Sequence, residues 1–213
     1  MTPFAFSLFA VPLKEKELIH MKNEKVRILT EGAVMIALAT VLSFVKVFEL
    51  PWGGSITLLS MLPIIIFSIK HGVREGLAVS FLYSVIQLGL GITLSGLLGW
   101  GLTVGALTAC ILVDYILAFG VLGLAGMFKS KGFAGRMAGT ALAIVLRFLA
   151  HVASGIFIFA SAGKLWDGFS TENIPLYSVL YNGAYMLPEL IFTLIASAVL
   201  FKLPQTQKLI SEK

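Results

Sequence analysis

Six long apolar stretches constrain this chain more than any other feature. They cover about 27–46, 56–70, 75–95, 102–128, 137–162 and 176–202. A helix needs roughly 20 mostly apolar residues to cross about 30 Å of hydrocarbon. The second stretch is short and begins in a Gly-Gly-Ser loop, while the fourth and fifth are long enough to tilt. The runs are continuous rather than alternating over about ten residues, which argues against a transmembrane barrel. Of the 213 residues, 58% are apolar and only 13% charged, against about 25% charged in an ordinary soluble domain. A soluble globular domain and a disordered chain are both excluded. The expected architecture is an all-α integral membrane protein of six transmembrane helices over residues 22–205, with a tail at 206–213. Residues 1–21 stand apart. Their run MTPFAFSLFAVPL is too short to span and lacks the basic start of a signal peptide, so a loose or interfacial N-terminal extension is expected, with Met21 opening a more ordinary start.

The formal net charge of +5 raises the possibility of a nucleic-acid partner, but its distribution argues for orientation instead. Lys14, Lys16, Lys22, Lys25 and Arg27 precede the first stretch. Lys70 and Arg74 lie between the second and third, Lys129, Lys131 and Arg136 between the fourth and fifth. Lys202, Lys208 and Lys213 follow the sixth. The alternate loops hold only Lys46 and Lys164. Basic residues concentrate on the cytoplasmic side, so both termini and both basic loops are expected there, in a plasma-membrane protein with no nucleic acid as partner. Cys110 is the single cysteine and His20, His71 and His151 are dispersed, so neither a disulfide framework nor a metal site is expected.

Polar groups inside hydrocarbon are costly unless paired, which makes them functional candidates. Asp114, followed by Tyr115, lies near the middle of the fourth stretch. Arg147 and His151 are four apart on the fifth and share a face, continued by Ser154 and Gly155. Arg147 could neutralise Asp114, and His151 could be a satisfied core histidine or stack on a flat ligand. In the sixth stretch Tyr177, Tyr181 and Tyr185 recur every fourth residue, as a packing stripe or a ligand wall. Asn182 offers donors and acceptors, and Glu189 follows Pro188, which is expected to bend the helix. The first outer loop, FELPWGGS at 48–55, places Trp52 beside Gly53 and Gly54, as an interfacial anchor or a lid. Together, a carboxylate, an imidazole, a carboxamide and aromatic faces suit a small, flat, cationic molecule. Ala33 and Ala37 form a small-xxx-small pair that lets another helix approach closely, within this chain or from a partner.

The segments RILTEGAVMIALA, GGSITLLSMLPIIIFSIKHGVREGL, LVDYILAFGVLGLAGMF, LRFLAHVASGIFIF and YSVLYNGAYMLPE, in this order and spacing over about residues 22–202, resemble the thiamine-specific S-component of energy-coupling factor (ECF) transporters, the ThiT/YuaJ family. The resemblance implies a six-helix membrane fold, capture of thiamine near the outer surface, and assembly with an ECF transmembrane coupling protein and two ATPase subunits. It implies a substrate site at Asp114, Tyr115, His151, Phe159, Tyr177 and Asn182, and a partner-docking motif at Ala33 and Ala37. Asp114 stands where the family often has Glu, and Phe159 where some members have Trp. Gly54 aligns with a loop tryptophan of some members, for which Trp52 is the expected substitute. Leu58 replaces a glutamate.

For such a site to prefer a cation, Arg147 is expected to turn from Asp114, towards Glu189 or backbone carbonyls. No phosphate-binding GxxxxGK[ST] loop occurs, so no enzymatic activity and no cofactor are expected. The nearest alternative is an S-component for another vitamin or a thiamine precursor. A remote one is an intramembrane hydrolase using Ser154 and His151.

Overall fold

The computed structural model describes residues 13–50 and 54–211. Trp52 lies outside the described residues, as does most of the expected N-terminal extension. The long first helix, α1 (Leu13–Phe44), leads into an antiparallel hairpin of β1 (Lys46–Glu49) and β2 (Ser55–Thr57). The Leu50 N–H closes the hairpin by donating to the Gly54 carbonyl at 2.6 Å. Helices α2 (Leu62–His71) and α3 (Val73–Thr93) follow, then a 3-10 turn at Leu97–Gly99. A fourth helical rod opens as α4 (Val104–Cys110), widens to π geometry over Ile111–Leu117, and tightens to 3-10 geometry over Val121–Lys131. The chain reverses at Gly132, whose φ of 64° lies in the left-handed region that favours glycine. The return rod is α5 (Gly132–Ser154), extended by a π segment at Gly155–Phe159. A second hairpin, β3 (Gly163–Trp166) and β4 (Phe169–Thr171), precedes α6 (Ile174–Lys202) and a short α7 (Pro204–Ser211).

Helical segments 23–44, 73–93, 104–159 and 174–202 are long and apolar enough to cross a membrane. The third has 56 residues, about 84 Å at 1.5 Å per residue, so its reversal at Gly132 divides it into two rods. Large apolar side chains cover the outside of these helices: Val104 and Phe157 are each 83% exposed and Leu29 is 72%. A continuous apolar exterior of this kind fits lipid, not water. The molecule is a helical membrane protein.

The second apolar stretch departs from the expected span. Residues 55–57 are drawn into β2 and Leu59 takes a positive φ of 59°, so the helix starts only at Leu62. Ten residues rise about 15 Å, half the hydrocarbon thickness. α2 instead forms the centre of the bundle, with Ile64, Ile65, Phe67 and Ile69 almost wholly buried. It packs in a core with Met61, Tyr83, Leu122, Ile144 and Phe201. Ser68 ties it to the fourth rod by donating to the Gly123 carbonyl and accepting from the Gly126 N–H at 3.0 Å. Glu31 ties it to α1, accepting from Lys70 at 2.9 Å and from His71 at 2.7 Å. The basic connectors at 70–74 and 129–136 therefore lie at one end of the bundle, and the two hairpins at the other.

Candidate functional site

A cavity of about 340 Å³ opens among the ends of the rods at the hairpin end. All the long helices contribute to its wall. Ser43 comes from the end of α1, Gly54 and Thr57 from the first hairpin, Gln87 and Gly91 from α3. Asp114 and Tyr115 come from the fourth rod, His151 and Phe159 from the fifth, and Tyr177, Asn182 and Glu189 from α6. The size and mixed lining suit one small molecule.

Asp114 sits within the π segment of the fourth rod, a geometry that recurs at functional sites. Its Oδ1 faces His151 Nδ1 at 2.8 Å, and its Oδ2 accepts a hydrogen bond from the Ser154 hydroxyl. His151 and Ser154, three residues apart on α5, reach the same carboxylate because they lie on one helix face. Arg147, one turn earlier, donates from Nε to His151 Nε2 at 3.3 Å. A guanidinium only donates, so Nε2 must be the accepting nitrogen and the imidazole proton lies on Nδ1, pointing at Asp114. The result is a directed chain, Arg147 to neutral His151 to Asp114. Arg147 also lies over the face of Phe119, 4.0 Å from the ring centroid, a favourable cation–π placement. Among the described residues no Lys or Arg pairs directly with Asp114. Ser154 bonds to Asp114 rather than to His151, so the serine–histidine pair that a hydrolase needs does not form.

Glu189 makes no direct ion pair with Arg147. Its Oε1 accepts from both the backbone N–H and the hydroxyl of Thr57, the latter at 2.7 Å, which fastens β2 to α6. Asn182 has a similar tying role. Its Nδ2 donates to the Ser178 carbonyl at 2.9 Å and to the His151 carbonyl at 3.3 Å, while its Oδ1 accepts from the Tyr185 hydroxyl at 2.8 Å. The carboxamide nitrogen is thus engaged between α5 and α6, and Oδ1 has capacity for one further donor.

Aromatic rings supply the remaining wall. Tyr177 and Tyr181 stack in parallel at 6.2 Å, and Tyr185 sets its edge against Tyr181 and His151. Tyr115 packs so closely on α3 that a Cβ at Gly91 would lie 2.2 Å from its hydroxyl. Gly54 makes a similar approach: a Cβ there would lie 2.8 Å from the Tyr185 ring, so a side chain at this position would force the ring to shift. The expected residues Asp114, Tyr115, His151, Phe159, Tyr177 and Asn182 thus share one cavity. Ala33 and Ala37 lie elsewhere, exposed on the outer face of α1. Sequence reasoning passed over Trp100 and Thr57. Trp100 pairs with Phe159 at 6.1 Å and donates to the Ser95 carbonyl at 3.0 Å. Its signal was present, a loop tryptophan beside glycines in LLGWG, the pattern that singled out Trp52. Thr57 carried none.

The fold and cavity define a helical membrane protein with a cavity whose size and lining suit one small molecule. Comparison with known proteins agrees. The family described as Thiamine transporter protein (Thia_YuaJ) matches residues 29–209. The thiamine transporter ThiT of Bacillus subtilis (strain 168) is 29% identical over 199 residues, covering 86% of this chain and 94% of that protein. A solved structure of ThiT from Listeria monocytogenes superposes with a TM-score of 0.66 at 23% identity, covering 88% of this chain and 98% of that one. The chain belongs to the Thia_YuaJ thiamine transporter family, a family of transporters and not of enzymes.

Proposed function

We propose that this protein binds thiamine from outside the cell and is the substrate-capture component of an ECF-type ABC importer. The observation that carries this reading is the charge balance of the cavity. Among the described residues two carboxylates, Asp114 and Glu189, line it, and Lys46 and Arg147 are its Lys and Arg side chains. Lys46 is paired with Glu49 at 2.6 Å, and neutral His151 separates Arg147 from Asp114. The Asp114 carboxylate is thus left without a direct Lys or Arg partner among aromatic faces, the complement of a flat monocation. The thiazolium of thiamine is such a cation, and its aminopyrimidine edge finds acceptors at Asp114 and Asn182 and tyrosine hydroxyls nearby.

With both termini cytoplasmic and the short α2 completing the second of six passages together with the residues that lead into it, the hairpin end, and the cavity, face the outer surface of the plasma membrane. The exposed Ala33 and Ala37 offer a smooth strip on α1 for a helix of the coupling protein, and two ATPase subunits supply the energy. Calorimetric titration of the purified protein tests the ligand. Submicromolar thiamine binding is expected, weakened at least about tenfold, or about 1.4 kcal/mol, in Asp114→Asn. Equal affinity in the variant overturns the site. Competition by hydroxymethylpyrimidine equal to that by thiamine would reassign the ligand to a precursor.

A further inference from the structure

Glu189 is used only in part by the contacts already described. The residue is 3% exposed, yet its Oε2 is buried with no hydrogen-bond partner among the described residues. A buried carboxylate oxygen left unpaired is costly, and this one belongs to a side chain that lines the cavity. The rest of the group is accounted for, since Oε1 takes both donors of Thr57. Arg147 is engaged with His151 and Phe119. Glu189 follows Asn182 by seven residues, about two helical turns or 10 Å along α6, so it marks a deeper level of the wall. Thiamine carries a hydrogen-bond donor at each end, the 4-amino group and the terminal hydroxyl, with the cationic ring between. The cavity offers carboxylates at two separate points of its wall.

We infer that Glu189 contacts the cargo directly: Oε2 accepts a hydrogen bond from one terminal donor of thiamine, while Oε1 holds the first hairpin through Thr57. Cargo and hairpin then share one carboxylate. A molecule that brings no donor to this point leaves Oε2 buried and unpaired, which is a basis for selectivity. This rests on the thiamine reading above.

The test is a titration of wild type and Glu189→Gln with three probes: thiamine, its analogue lacking the terminal hydroxyl, and its analogue with oxygen in place of the 4-amino group. Gln keeps an oxygen for Thr57 and replaces the second acceptor with a donor. Thiamine affinity is expected to fall at least about tenfold. For the analogue missing the matching donor, the substitution should change affinity by less than about threefold. A thiamine affinity equal to wild type overturns the inference, and so does an equal loss for all three probes, which marks a purely structural role. Infrared difference spectra of wild-type protein with labelled glutamate provide a readout independent of the variant's folding, since no other glutamate among the described residues lines the cavity. Thiamine should shift a carboxylate band, and an unchanged spectrum overturns the inference. Wild type that binds no thiamine removes both readings, whereas wild-type binding with an insensitive Glu189→Gln removes this one alone.

Discussion

Asp114 shows how a single intramembrane acid can be held in place and still remain available. Its two oxygens are oriented by His151 and Ser154, neither of which brings a full positive charge. Arg147 acts at one remove. By donating to His151 Nε2 it selects the imidazole tautomer that points a proton at the acid, the usual way a second hydrogen bond sets a histidine's state. This geometry is open to measurement. Nitrogen NMR of histidine-labelled protein in detergent should show His151 neutral and protonated on Nδ1. A proton on Nε2 or an imidazolium would contradict the chain. The residue types were legible in sequence, because a carboxylate and an imidazole inside apolar runs stand out. Their pairing was not, since it depends on the rotation of the fourth and fifth rods. The π geometry around Asp114 sets part of that rotation, and apolar periodicity carries no mark of it.

At the scale of elements, α2 is the piece that differs most from its sequence. Its apolar composition suits a span, yet it is a short core helix, because the preceding residues pair in the hairpin. A helix buried on every side depends on its few polar ties. Ser68 makes two of these, to the Gly123 carbonyl and the Gly126 N–H. Ser68→Ala leaves that buried carbonyl without its hydroxyl donor and that buried N–H without its acceptor, and should cost about 1–3 kcal/mol. The expected outcome is a lower midpoint of thermal unfolding in detergent. A midpoint equal to wild type would show that the two groups find other partners. The first hairpin depends on a comparable tie, the Thr57–Glu189 contact, and on the bare backbone of Gly54 lying against Tyr185. Neither is visible locally, since Thr57 and Glu189 are 132 residues apart.

Across the whole molecule, the two ends have opposite characters. One gathers the basic connectors, the other the hairpins and the cavity. The proposed orientation, by the positive-inside rule, has the basic end in the cytoplasm, and labelling checks it. A cysteine introduced at Lys131 should react with a membrane-impermeant thiol reagent only after cells are opened, and one at Lys164 in intact cells. The reverse pattern would invert the protein and place the cavity inside. On the proposed docking role, the α1 strip separates binding from uptake. Ala33→Leu adds bulk to an exposed face far from the cavity, so thiamine titration should be unchanged while uptake into cells falls severalfold. Unimpaired uptake would remove α1 as the docking face.

Sequence alone determined the solvent this chain folds in, its helical content, the expected orientation and the polar residues that had to be reconciled with hydrocarbon. These follow from local quantities: apolar run length, the placement of Lys and Arg, and the cost of an unpaired charge in lipid. Tertiary structure decided which polar group meets which. It turned Arg147 to His151 and Phe119, gave Glu189 to Thr57, engaged the amide of Asn182 between two helices, and brought Trp100 to Phe159 at the cavity rim. Hydrogen bonds and ring contacts depend on separations of a few ångströms between distant residues, and only the packing of the rods sets these.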